Sequence, residues 1–139
     1  MSHAQKIVFF IGRVVVGACF FFGGLGKILS WSYCLEYLGK TAIGQWNTSL
    51  LASLLTVSIV IEIAGGLAIF LGMWTRTSAI ILLILVFLVA IFLQPYWSLS
   101  SESLVVGYFL FLVDIIACCA LLFIAALGGG LLSFDEKRK

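Results

Sequence analysis

Charge is scarce in this sequence. Only 10% of its 139 residues are Asp, Glu, Lys or Arg, against about 25% in a soluble domain, too few to clothe an ordinary water-facing surface. Nucleic acid is excluded as a partner, because 8 basic residues set against 6 acidic ones make no extended basic face. Histidine occurs once, at His3, so a bis-histidine haem cannot be built within one chain. The four cysteines, Cys19, Cys34, Cys118 and Cys119, contain no C-x-x-C, which removes thioredoxin-like, zinc-ribbon and iron–sulfur readings. No dinucleotide fingerprint is present. The expectation is therefore no haem, no metal and no nucleotide, with the cysteines as small packing residues.

Apolar residues make up 63% of the chain. They gather in four runs, near Ile7–Leu29, Leu50–Leu71, Ser78–Leu93 and Leu104–Leu127. Each approaches or exceeds the roughly 20 residues that an α-helix needs to cross a hydrocarbon core of about 30 Å. None alternates with period two, which argues against a β-barrel. The first run contains Arg13 and lacks a small-residue cleavage site, so it reads as a retained helix and not a signal peptide. The expected fold is all-α and integral to a membrane: one domain, 1–139, forming an antiparallel bundle of four transmembrane helices. The helices are placed at about 7–30, 50–73, 77–94 and 103–128. An outer connection covers 31–48, and a tail 129–139.

Lys6, Arg76 and Lys137-Arg138-Lys139 fall at one end of such a bundle, and Lys27 and Lys40 at the other. The positive-inside rule then predicts cytoplasmic N- and C-termini. In the outer connection, Tyr33, Tyr37 and Trp46 read as interfacial anchors, and Trp31–Leu38 as a short segment lying in the interface. Pro95 in Gln94-Pro95-Tyr96-Trp97 removes a backbone donor and ends the third helix.

Three helices carry a stripe of small residues around a charge. In the first it is Arg13, Gly17, Phe20, Gly24 and Lys27; in the second Ser58, Glu62, Gly65, Ile69, Gly72 and Arg76; in the fourth Gly107, Phe111, Asp114, Cys118, Leu121, Ala125 and Gly128. Steps of three and four keep each set on one face, and small residues let membrane helices approach closely. An ionisable side chain at mid-bilayer costs about 2.5–3.5 kcal/mol on insertion scales, so these charges should face one another. Counted from assumed cytoplasmic ends, Arg13 is about six to eight residues deep and Glu62 about ten to twelve. The gap is about 6 Å, and the expectation is an Arg13–Glu62 ion pair with Asp114 on the same seam. Lys27 is expected to snorkel to the interface. The seam would carry one net negative charge, so Asp114 or Glu62 is expected to hold a proton.

Three blocks resemble the DoxX family of small four-helix membrane proteins. They are Arg13 with Phe21-Phe22-Gly23-Gly24-Leu25-Gly26-Lys27; Glu62-x-x-Gly65-Gly66 through Gly72-Met-Trp-Thr75-Arg76; and Gly128-Gly-Gly130-Leu-Leu-Ser133-Phe-Asp135. This chain has Gln94-Pro95-Tyr96 where many relatives carry a histidine, and Asp114 matches no motif of the family. The resemblance implies a bacterial inner-membrane protein. It also implies a link to oxidoreductase complexes of thiol and oxidative-stress handling, or to the DoxD-type subunit of thiosulfate:quinone oxidoreductase.

The functional expectation is an integral subunit of a quinone-linked redox system, whether or not the chain is itself an enzyme. Arg13, Glu62 and Asp114 would contact the quinone head group, and Phe20, Phe21 and Phe111 would flank the ring. Gly17, Gly24, Lys27, Gly65, Gly66, Gly72, Thr75, Arg76, Gly128, Gly130, Ser133 and Asp135 form the structural motif. Expected partners are membrane lipid, quinone and either a second protein or further copies of the chain. The alternatives are a non-catalytic anchor that recruits an enzyme, and a small proton-coupled transporter. An Arg13-paired carboxylate would exchange protons poorly and weighs against the transporter.

Overall fold

Backbone amides have no water to bond in hydrocarbon, so apolar runs of this length must satisfy themselves as helices. The structure, a computed structural model, describes residues 2–41, 43–93, 101–130, 133 and 135, without the side chains of 101–104. It holds five helices among these residues: α1 (His3–Leu29), α2 (Trp31–Gly39), α3 (Thr48–Leu71), α4 (Thr75–Phe92) and α5 (Ser101–Leu127). α1, α3, α4 and α5 are long and apolar enough to cross a membrane, and the fold is a four-helix integral membrane bundle. Boundaries differ from the expected ones by one to four residues, most at the start of α1. There Ser2 and Gln5 form a reciprocal capping box and carry the helix beyond its apolar run. The Gln94–Trp97 segment lies outside the described residues.

The helices pack in the order α1–α3–α4–α5. The α1–α3 contact is made by backbone. A Cβ at Gly17 would come within 2.5 Å of the Phe70 nitrogen, and one at Gly66 within 2.6 Å of the Phe21 nitrogen. No other residue fits either place. The α4–α5 side is filled instead by aliphatic side chains, with Ala79, Leu82, Val86, Cys118, Leu121 and Ile124 buried around Ile69 of α3. α2, the short segment expected in the connection, lies against α3 through Leu38, Leu55 and Ile59. The Tyr37 hydroxyl donates to the Leu93 carbonyl at 3.3 Å. Hydroxyls along α3 return to their own helix: Ser53 donates to Ser49 O, Thr56 to Ala52 O and Ser58 to Leu55 O, each at 2.8 Å. Thr48 and Ser49 are exposed in the first turn, which leaves Glu62 as the buried polar side chain of α3 that must find a partner elsewhere.

Candidate functional site

The glycine contacts set the α1–α3 register. Gly24 lies over Glu62 and Ile63, Gly17 over Gly66 and Phe70, and Arg13 reaches Gly72. Ten residues of α3 separate Glu62 from Gly72, about 15 Å along the axis. The expected Arg13–Glu62 ion pair is therefore incorrect. Glu62, 7% exposed, is paired with Lys27, one turn beyond Gly24 on α1. The depth count failed because α1 does not end level with α3: it runs past the α3–α4 turn, and Arg13 stands beside that turn. Lys27 does not simply snorkel to water, since its ammonium is committed to a buried carboxylate.

The charges thus form two groups. The first lies in the half of the bundle nearer α2. It holds Lys27, Glu62 and Asp114, the last within electrostatic reach of both others and of Tyr37. Asp114 is half-buried, and its Oδ2 is shielded without a hydrogen-bond partner. If all three are ionised the group carries one net negative charge, as expected for the seam, with Lys27 in place of Arg13. Cys118, one turn along α5, is buried beside it. The aromatic residues expected around a ring are spread out. Phe20 packs on the aliphatic core, and Phe21 meets Phe22 edge-on at 5.5 Å. Phe111 is half-buried on α5, one turn before Asp114.

The second group closes the end of the bundle that carries the start of α1 and the tail. Gly72 ends α3 at φ 74°, a conformation that favours glycine. Any Cβ there would overlap Arg13 Nη1 and press on Ser133. The Asp135 carboxylate accepts from the Trp74 N–H at 2.8 Å, and from the Thr75 N–H and hydroxyl at 2.9 Å each. Its own N–H donates to the Gly72 carbonyl at 3.0 Å. Trp74, the N-cap residue of α4, gives the helix no side-chain cap, and the Asp135 carboxylate caps its N-terminus instead, from 60 residues away. Burial works against its charge, but the Thr75 and Trp74 donors and the Arg13 guanidinium outweigh it and hold the carboxyl below the usual range. Thr75 and Ser133 are buried, and Ser133 donates to the Gly130 carbonyl at 2.8 Å. Arg13 is 1% exposed and lies 5.3 Å from the Phe10 ring centre, with Nε and Nη1 unpartnered.

The motif residues thus sort by place. Gly17, Gly24, Gly66 and Lys27 build the α1–α3 seam, and Gly65 sits against Leu82 of α4. Arg13, Gly72, Thr75, Arg76, Gly128, Gly130, Ser133 and Asp135 meet at the terminus-bearing end. The capping role of Asp135 had no local signal in the sequence, since the helix it caps starts in another part of the chain. Among the described residues, no three His, Cys, Asp or Glu side chains gather as metal ligands would.

The DoxX sequence profile matches residues 8–95, and the chain belongs to that family. It is also 22% identical to inner membrane protein YphA of Escherichia coli strain K12, over 96% of this chain and 92% of that protein. No solved structure matches it.

Proposed function

We propose that this DoxX-family chain is the membrane subunit of a quinone-linked redox system, with Lys27, Glu62 and Asp114 as the polar end of a quinone site. The observation that carries the reading is Asp114 Oδ2, a shielded carboxylate oxygen without a partner, within electrostatic reach of a half-buried Glu62–Lys27 pair. A membrane-depth carboxylate with spare capacity suits a group that takes up and releases a proton. Reduction of a quinone to its quinol consumes two electrons and two protons. A partner protein would supply the electrons, and Asp114 would pass protons while Lys27 faces the reduced oxygen. The resemblance to YphA supports the inner membrane as the location. The basic residues at the terminus-bearing end support cytoplasmic termini.

The test is quinone analysis of protein isolated in mild detergent, beside quinone-dependent turnover of whatever protein co-purifies. Quinone retained by the wild type and lost from Asp114→Asn supports the reading. Equal retention by both, or by neither, overturns it. A second reading is a non-catalytic anchor, favoured by the completeness of the Lys27–Glu62 pair, which alone could pin the α1–α3 register. It predicts full function in cells for a folded Asp114→Asn.

A further inference from the structure

The terminus-bearing end also holds a cleft of about 540 Å³ that the quinone reading does not use. It is walled by Trp74, Arg76, Leu127, the 128–130 glycines and Ser133. We propose that this cleft binds a phosphate-bearing anion, either the headgroup of an acidic phospholipid or free phosphate, with Arg76 as its charged contact.

Four observations carry this. Arg76 lines the cleft, is exposed, and forms no ion pair among the described residues. Its Nε lies 2.9 Å from where a Gly128 side chain would begin, so the glycine leaves the guanidinium free to face the opening. Behind the wall, the buried Arg13 lies with Ser133 against Gly72 and adds a positive charge with two unpartnered donors. Gly128 and Gly130 both have positive φ, 79° and 61°, and backbone that alternates in hand turns N–H groups toward anions, although the Gly128 N–H itself donates to the Ile124 carbonyl at 2.8 Å. Asp135, the acidic wall residue among the described residues, does not compete for Arg76, because its oxygens are already held by Trp74 and Thr75. The site's depth suits a headgroup. It opens where α3 has ended, α4 begins and α5 stops, with Trp74 and Leu127 both largely exposed on its rim. Basic pockets between membrane helices at that level are the pattern for acidic lipid recognition.

The experiment measures thermal unfolding of the full chain in lipid nanodiscs at fixed ionic strength. Discs of phosphatidylcholine are compared with discs containing phosphatidylglycerol, and phosphatidylcholine discs are also titrated with inorganic phosphate against chloride. The expected result is stabilisation by phosphatidylglycerol, by phosphate or by both. Arg76→Gln should lower the affinity read from the titration about five-fold, from roughly 1 kcal/mol per basic contact. Arg76→Lys should keep most of it, and Lys6→Gln, an exposed charge elsewhere on α1, should leave it intact. A response to phosphatidylglycerol alone assigns a lipid headgroup, and an equal response to phosphate assigns a free anion. No preference for any phosphate arm overturns the site. So does a preference that Arg76→Gln retains, or one that Lys6→Gln reduces as much.

Discussion

The two halves of the bundle are held by different means. Between α1 and α3, backbone lies on backbone through Gly17 and Gly66, and the pairing is pinned by Lys27 and Glu62. Between α4 and α5, leucine, isoleucine, valine and cysteine interlock, with no ion pair among the described residues. Lipid tails are as apolar as leucine, so a side-chain seam gains only packing, whereas close backbone approach and charge pairing add terms that lipid cannot match. The contrast teaches that the first seam admits one register and the second tolerates change.

Substitutions can break that comparison. Gly66→Leu should have the largest effect: the new side chain starts 2.6 Å from the Phe21 nitrogen and α1 must leave α3. Loss of monodisperse protein in size-exclusion chromatography is the expected readout. Glu62→Ala comes next, leaving Lys27 without its carboxylate. Because Lys27 retains about a third of its side-chain exposure, the cost falls to about 1–3 kcal/mol, below that of a fully buried pair. Lys27→Met with Glu62→Gln should recover most of it in thermal unfolding. Leu82→Ala, in the second seam, should cost about 1–2 kcal/mol, since the cavity term remains while transfer to lipid costs little. A larger loss there than at Gly66 would invert the comparison.

Asp135→Ala should cost about 1 kcal/mol by removing the α4 cap. The pH dependence has a definite sign. The folded carboxyl titrates below its ordinary value, so its contribution is complete above the unfolded value of about 4 and is lost as pH falls through the lower folded value. Protease nicking of the tail should thus be the same at pH 7 and pH 5, and should rise only in stronger acid. For Asp135→Ala it should be raised throughout.

Much of this contrast was legible in the sequence, because apolar run length reports spans and the spacing of Gly17 and Gly24 reports a tight face on α1; on α3 the stripe ran through Gly65, which meets Leu82 of α4, whereas Gly66 is the glycine that meets α1. The register was not. Arg13 and Glu62 were matched by depth from assumed helix ends, but α1 overhangs the α3–α4 turn, and only the glycine contacts reveal by how much. Lys27 was read as an interfacial lysine because a side chain of that length reaches either water or a neighbour, and spacing on one helix does not choose. Asp135 appeared only as the last letter of a motif, since capping across 60 residues leaves no local pattern.

That long-range cap orders events during synthesis. The first turn of α4 waits for its carboxylate until the ribosome has read through the whole of α5, so the junction between the two seams is among the last parts of the molecule to be completed. A chain stopped short of Asp135 would still insert four spans, but would leave the membrane machinery with that corner unfastened.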